Sequence, residues 1–330
     1  MNLQQRKSGL SAFAAWLALV LIQLSGSMVL ADQKQFLPEL SISVLQSGTA
    51  HWELDHIVHQ QLDRKHGYRL SLRPVANLPA SHLAITSGSV NGAVADLLWV
   101  QSRYQAGRPY LYLPFSSRIG DIVVPEDSAV HDVSDLEGLR IGVAGGPDSK
   151  GWILLQKVAA GQGIDLTGSA RVQYAAPPLL SQALKRGQVD VIVTYWHFAA
   201  RLKGQGGWRS AFGMADLLAA MGLDRNLPVL GYVFPENWAG EHGGLVDRFA
   251  RSVAEAKAEL ALQPSAWKRL RPLMRNPEDS VFGALRAGFV AGTPEPLTDG
   301  RVADLQDLLE LTGVGAGQVM PERLFYRSQP

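Results

Sequence analysis

Residues 134–202 read SDLEGLRIGVAGGPDSKGWILLQKVAAGQGIDLTGSARVQYAAPPLLSQALKRGQVDVIVTYWHFAARL, and the alternation of segments here sets the predicted architecture. Short apolar runs rich in β-branched residues predict strands, and longer one-sided apolar runs that end at glycines predict helices. The predicted order is strand, helix, strand, helix, strand, with strands at Leu139–Val143, Val172–Tyr174 and Val189–Val193. This order predicts a parallel, doubly wound α/β sheet that binds ligands beyond the carboxyl ends of its strands.

Three segments of this stretch resemble the nitrate/sulfonate/taurine-type periplasmic solute-binding proteins of ABC importers. DLEGLRIGV, the glycine-rich loop after it and ALKRGQVDVIVTYWHF stand where that family reads roughly DLKGKKIGV, a similar loop, and ALKAGQVDA followed by TWEPF. The resemblance extends more weakly from Leu40 to Leu262. It implies a type II periplasmic-binding-protein-like fold, with two lobes joined by a two-strand hinge, each lobe a doubly wound and mostly parallel sheet.

The same resemblance implies a function. We expect a monomeric receptor that closes around a small polar organic solute, a sulfonate-, taurine- or nitrate-like anion or zwitterion, and delivers it to an ABC permease at the inner membrane. No enzymatic activity, cofactor or metal is expected.

The first half of the chain repeats the plan of the central stretch. LAITSGSVNGAVAD (residues 83–96) and ALKRGQVDVIVTY (residues 183–195) both run from a helix through a small glycine turn into a strand with a polar end. We therefore predict that lobe 1 contains residues 36–121 and 226–330 and lobe 2 contains residues 122–225. The chain would cross between the lobes at Ile119–Pro125 and return at Asn226–Phe234.

Composition narrows the function classes. The chain has 330 residues, a formal charge of +1 and no cysteine. A near-neutral charge argues against a nucleic-acid partner, and the missing cysteine excludes disulfides, thiolate metal sites and a lipoprotein anchor. Residues 1–31 have a positive start, an apolar core and small residues at Val29–Ala31, as in a cleaved secretory signal. We therefore expect a periplasmic protein.

The best candidate site in lobe 2 is the turn Gly145–Gly151. Its glycines let the backbone approach a ligand, and free N–H groups at the start of the next helix favour an anion. Gly146, Ser149 and Lys150 are the candidate contacts there. The second candidate is Tyr195, Trp196 and His197, where an aromatic ring and an imidazole replace the glutamate and proline of W-E-P-F.

Lobe 1 offers His51 and Trp52 after its first strand, and Asp96 and Trp99 after its third. Together with Trp152 and Trp196, these tryptophans fall near predicted strand ends and could form an aromatic box for an amine or quaternary ammonium. A helix N-terminus with Lys150 instead suits an anion, and a zwitterion would use both. Asp96 could equally cap a helix.

Two further hypotheses remain open. A pyrimidine- or thiamine-precursor-binding or synthesising protein on the same fold would stack a planar ligand and, as an enzyme, would use His197 or Glu53. An accessory protein would instead fill its cleft with its own side chains. The histidines at 51, 56, 59 and 66 cluster in sequence, but a water-facing helix explains them better than a metal site.

Overall fold

The computed structural model describes residues 37–275, 278–315 and 317–327. From Pro38 onward the described chain forms one compact unit. The predicted signal segment, residues 1–31, lies outside the described residues. Within the described part, we find no helix with both the length and the apolar content needed to cross a membrane.

Ten strands build two five-stranded sheets. They are β1 (Glu39–Leu45), β2 (Arg69–Val75), β3 (Gly92–Asp96), β4 (Tyr110–Ser116), β5 (Gly120–Pro125), β6 (Arg140–Ala144), β7 (Arg171–Ala175), β8 (Val191–Tyr195), β9 (Trp208–Gly213) and β10 (Leu230–Pro235). The first sheet has the order β2-β1-β3-β10-β4 and the second β7-β6-β8-β5-β9. In each sheet the first three strands are parallel, and the fourth is antiparallel to both neighbours.

Helices follow most of the strands. They are α1 (Ala50–His59), α2 (Leu62–Lys65), α3 (Leu78–Thr86), α4 (Leu97–Gln105), α5 (Lys150–Gly161), α6 (Leu166–Ser169), α7 (Pro177–Lys185), α8 (Trp196–Gln205), α9 (Met214–Ala220), α10 (Glu236–Glu241), α11 (Gly243–Leu262), α12 (Ala266–Leu270), α13 (Asp279–Ala291) and α14 (Asp299–Leu311). Short 3₁₀ turns lie at Ser134–Leu136 and Glu322–Leu324.

The pairing confirms the predicted doubly wound, mostly parallel α/β class. The chain passes from the first sheet to the second between β4 and β5, and it returns before β10. Strands β5 and β10, the first strands after each crossing between the sheets, are the ones that run antiparallel to both of their neighbours. We refer below to the part around the first sheet as lobe 1 and to the part around the second as lobe 2.

Two predicted elements differ in detail. The segment Glu53–Lys65, whose apolar spacing predicts one helix, is divided between α1 and α2 at Gln61, whose φ of +57° is left-handed. Strand β8 begins and ends two residues later than predicted, so Tyr195 is its last residue and Trp196 opens a helix directly. This shift decides which of the two side chains enters the core.

The lobes are in direct contact. One buried apolar cluster includes Ala93 and Tyr112 of the first sheet together with Ile141 and Val191 of the second. A second cluster fills the other side of the first sheet and takes in Trp196 from the start of α8. A strand-end site in one lobe can therefore meet side chains of the other lobe.

Candidate functional site

The turn between β6 and α5 lies over the end of β8. Gly145 has a φ of +91°, and a Cβ there would stand 3.1 Å from the hydroxyl oxygen of Tyr195. Gly146 follows with the carboxylate of Asp148 beside it, and Ser149 precedes α5 without a side-chain capping bond. The glycine at 145 is therefore required both by its conformation and by the closeness of Tyr195.

An ion pair joins this turn to lobe 1. The Nζ atom of Lys150 lies 3.0 Å from Oδ2 of Asp96, and both side chains are largely buried. The other carboxylate oxygen of Asp96 accepts a bond of 3.0 Å from the backbone N–H of Trp99, which caps α4. Asp96 thus caps α4, as the sequence suggested, while its contact with a ligand stays a prediction.

The electrostatics of Asp96 reflect this contact. Burial raises the pKa of its carboxyl, but the charge of Lys150 and the bonds from Trp99 and Lys150 outweigh burial and leave the pKa below its ordinary value. The Asp96–Lys150 pair is therefore charged at neutral pH. Because its members come from the two lobes, it is sensitive to any change in their separation.

Tyr195 lies at the same edge and is partly exposed. Burial of its ring, helped by the nearby charges of Asp96 and Asp148, raises the pKa of its hydroxyl. The hydroxyl therefore keeps its proton at neutral pH and can donate to a ligand oxygen.

A mostly apolar pocket lies beside Lys150. A pocket at this point has a cavity volume of about 10 Å³ and is lined by Leu97, Leu98, Ile119, Lys150, Leu154, Val229, Leu308 and Thr312. That volume is about the smallest that can hold one water molecule. The cavity is therefore too small for any organic molecule while the lobes are in contact.

The four tryptophans do not form the aromatic box that the sequence suggested. Trp52 is 1% exposed and packs edge-on against Trp196, with 6.2 Å between ring centroids. Trp152 is also 1% exposed but lies in the other core cluster. Of the four, Trp99 alone is only partly buried. Trp52, Trp152 and Trp196 are thus packed inside the two core clusters, and their contact with a ligand stays a prediction.

In the core of lobe 1, aromatic rings surround a cation of the protein itself, the ammonium group of Lys257. The ammonium of Lys257 lies 4.7 Å from the ring centre of Phe115 and 4.9 Å from that of Phe289. It pairs with Glu53, which is 0% exposed and also accepts a bond of 2.6 Å from the hydroxyl of Tyr232. Glu53 is thus closed to substrate, and the expectation that it could serve as a catalytic residue was wrong.

His51 and His197 lie near the strand ends with local partners. Nδ1 of His51 donates to the carbonyl oxygen of Gln46 at 3.1 Å. Burial, with a smaller effect from Arg201, lowers the pKa of His197 to about 3. His197 is therefore neutral at neutral pH and a very weak base. Binding of a ligand by either histidine stays a prediction.

The other clustered histidines hold two helices together. His56 is fully buried, not on a water-facing helix surface as the sequence suggested, and its Nε2 lies 2.7 Å from a carboxylate oxygen of Glu259. His66 meets Glu255 of the same helix, α11, at 2.8 Å. In the part of the chain that the structure describes, no group of three or more acidic or histidine side chains could hold a metal ion.

Two residues that the sequence analysis did not single out lie beside Asp96. His82 of α3 stacks on Trp99 with 4.2 Å between ring centroids, and the guanidinium carbon of Arg103 lies 5.9 Å from the Trp99 ring centre. Burial lowers the pKa of His82, and the nearby charges of Asp96, Lys150 and Arg103 also act on it. These residues belong to two helices and meet only in the folded chain, so their spacing in the sequence does not predict that they lie together.

Comparison with known protein families decides the classification. The sequence matches the NMT1/THI5-like family over residues 80–266, more than half of the chain. The chain belongs to the NMT1/THI5-like family. Residues 80–266 include His82, Asp96, Lys150 and Tyr195, so these candidate site residues lie within the range that matches the family. No curated protein sequence gives a significant match.

Solved structures with the same fold cover most of this NMT1/THI5-like chain. The periplasmic aliphatic sulphonate binding protein SsuA from Escherichia coli has a TM-score of 0.69 at 19% identity, over 83% of this chain and 91% of that one. The alkanesulfonate-binding protein SsuA from Xanthomonas axonopodis pv. citri, bound to MOPS, has a TM-score of 0.66 at 19% identity, over 88% and 98%. The periplasmic nitrate-binding protein NrtA from Synechocystis PCC 6803 has a TM-score of 0.56 at 12% identity, over 76% and 69%.

These likenesses confirm two predictions. The two-lobed periplasmic-binding-protein-like fold is present, and the resemblance to sulfonate- and nitrate-type binding proteins of importers is correct. Because the identities are low, the likeness concerns the fold, and the solute has to be argued from the side chains of this chain.

Proposed function

We propose that this protein is the solute-binding component of an ABC importer and that its solute is small, polar and zwitterionic. It works as a monomer in the periplasm, is released from a cleaved signal at residues 1–31, and passes its solute to a permease at the inner membrane without chemical change. Its lobes are residues 36–121 with 226–330, and residues 122–225. Family membership and the fold shared with the SsuA proteins support the transport role.

The Asp96–Lys150 pair carries the argument about the solute. A solute that enters between the lobes separates the two charges, which lie 3.0 Å apart in largely buried positions. A simple anion would bind Lys150 but leave Asp96 without a counter-ion, and a simple cation would do the reverse. An unpaired charge in such a place is costly, whereas a solute with both an acidic and a basic group satisfies both residues.

A set of charge-matched probes tests the proposal. Ligand-stripped protein is heated with taurine, ethanesulfonate, ethylamine, nitrate, choline or cytosine, and the unfolding midpoint is followed, with calorimetry for each probe that raises it. We expect taurine to stabilise the protein more than ethanesulfonate or ethylamine, because a ligand that binds only the folded state raises the midpoint with its affinity.

Two matched variants test whether Asp96 binds the basic group of the solute. Asp96→Asn should lower taurine affinity by about tenfold or more, since it removes a charged partner. Asp127→Asn removes an exposed carboxylate in the turn after β5 and should leave the affinity unchanged. Stabilisation by ethanesulfonate or nitrate but not by taurine would refute the zwitterion and keep the receptor. Stabilisation by cytosine or choline alone would favour the pyrimidine or quaternary-ammonium alternative, and no stabilisation by any probe would count against solute binding.

A further inference from the structure

The side chains of His82, Trp99 and Arg103 form a cluster on α3 and α4 beside the Asp96–Lys150 pair, and we call this cluster the α3–α4 groove. The Trp99 ring lies stacked with the imidazole of His82 at 4.2 Å and at a ring angle of 15°. Arg103, one helical turn after Trp99, places its guanidinium 5.9 Å from the same ring. Since the N–H of Trp99 also binds Asp96, the groove and the ion pair share a residue.

Two buried nitrogen atoms in this groove lack a hydrogen-bond partner among the described residues. They are Nε2 of His82 and Nε of Arg103. The arginine Nε–H can only donate, and a neutral histidine with its proton on Nε2 donates as well. Leaving such groups without an acceptor costs free energy, so an acceptor oxygen placed there would be bound favourably.

The charges around the groove are not balanced. Lys150 has Asp96 as its counter-ion, but no carboxylate pairs with Arg103 among the residues that the structure describes. The groove therefore keeps the positive charge of Arg103 unmatched. A negatively charged oxygen would accept the hydrogen bonds that these two nitrogens do not make, and it would balance the charge of Arg103.

We propose that His82, Trp99 and Arg103 form a subsite for a second acidic group of the solute. The solute class is then a compound with one basic and two acidic groups: the basic group and one acidic group bind Asp96 and Lys150, and the other acidic group binds Arg103 and His82. This inference rests on the proposed function, because it extends the zwitterion assigned to the ion pair by one group.

Paired probes that differ by one carboxylate test the subsite. L-Cysteate is taurine with an added carboxylate, and L-aspartate is β-alanine with an added carboxylate. We expect the protein to bind the larger member of each pair about tenfold or more tightly, the effect of one charge-assisted hydrogen-bonded contact. Isothermal calorimetry measures all four affinities at a constant ionic strength.

Variants assign that preference to residues. Arg103→Gln should lower cysteate affinity to about that of taurine, and His82→Phe, which keeps the stacked ring but removes the nitrogens, should reduce the preference in part. Arg108→Gln is the matched control, because this arginine is exposed and lies only five residues away. It should keep the preference for cysteate.

The failures of the two proposals differ. If taurine binds and cysteate binds no better, or if the preference survives Arg103→Gln, the subsite is refuted and the zwitterion receptor stands. If only probes without acidic groups bind, the subsite is refuted while solute binding stands. If no probe of any class binds, both proposals are wrong.

Discussion

Replacing Lys257 by methionine tests the buried pair in lobe 1. The ammonium of Lys257 lies 2.5 Å from Oε2 of Glu53, and the two side chains are 8% and 0% exposed. Burial raises the pKa of Glu53 above its ordinary value of 4.5, while Lys257 and the hydrogen bond from Tyr232 work against the rise. Lys257→Met keeps most of the side-chain volume and removes the counter-ion, so the pKa of Glu53 must rise further.

The magnitude follows from proton linkage. A carboxyl that must be protonated in the folded protein costs about 1.4 kcal/mol for each pH unit above its unfolded pKa. Counted from 4.5, protonation of Glu53 costs about 3 kcal/mol at pH 7 and about 1 kcal/mol at pH 5. These are the largest losses we expect from this linkage in Lys257→Met, because the raised pKa of Glu53 already costs the unmutated protein part of them. The value at pH 7 lies within the range of about 3–5 kcal/mol for removing one partner of a buried ion pair. The sign is that of a raised pKa: the variant is most stable at low pH and loses stability as the pH rises.

Urea unfolding at pH 7 and pH 5, followed by tryptophan fluorescence, measures these losses, and Trp52 and Trp267 in the same core report locally. Lys65→Met is the matched control, because Lys65 is 61% exposed in its pair with Glu255 and should contribute no more than about 1 kcal/mol. Adding Glu53→Gln to Lys257→Met should recover stability at pH 7. A loss below about 1 kcal/mol at pH 7, or equal losses at the two pH values, would refute the reasoning.

Two further predictions concern the contact between the lobes and the response to acid. Gly288→Ala should destabilise the protein by about 1–3 kcal/mol and change its tryptophan fluorescence, because the added Cβ would stand 2.7 Å from the Trp196 ring. Gly283→Ala on the same helix is the control: its Cβ would have no atom within 4 Å, so it should cause neither effect. The pKa of His197 is lowered from 6.5 to about 3, so its neutral form contributes stability above pH 6.5 that is lost as the pH falls. His197→Asn should therefore reduce the fall of the unfolding midpoint between pH 7 and pH 5. An unchanged slope would contradict this.

The sequence predicted the architecture because its local signals agree with the fold. Strands β6 and β7 were predicted with ends within one residue of those observed. Helix α4, strand β9 and helix α13 were not predicted. Helix α4 begins at Leu97, directly after Asp96, the last residue of β3, and no loop residues separate the two elements. Such a boundary leaves no turn signal in the sequence.

The site was harder to predict because strand-end proximity does not fix side-chain direction. Trp52 and Trp152 are each the third residue of the helix that follows a strand, β1 and β6 respectively, and both rings face the core. A helix turns by about 100° per residue, so a side chain three residues past the strand end can point away from the cleft. Trp99 is also the third residue of its helix, α4, but remains at the groove because His82 of α3 covers it. Lys150, the first residue of its helix, points at the opposite lobe.

Two of the contacts between the lobes differ in what can replace them. At one place the ring of Trp196 fills the space above Gly288, an apolar contact that water would disrupt at a cost in buried surface. At the other, Asp96 and Lys150 are joined by charge, and each can take a new partner of the same charge from a solute. Separation at the ion pair exchanges one set of charged contacts for another, whereas separation at Trp196 exposes a large ring without compensation. For the proposed receptor we therefore expect the lobes to open at Asp96 and Lys150 while they stay joined at Trp196, which would lead a solute to His82, Trp99 and Arg103.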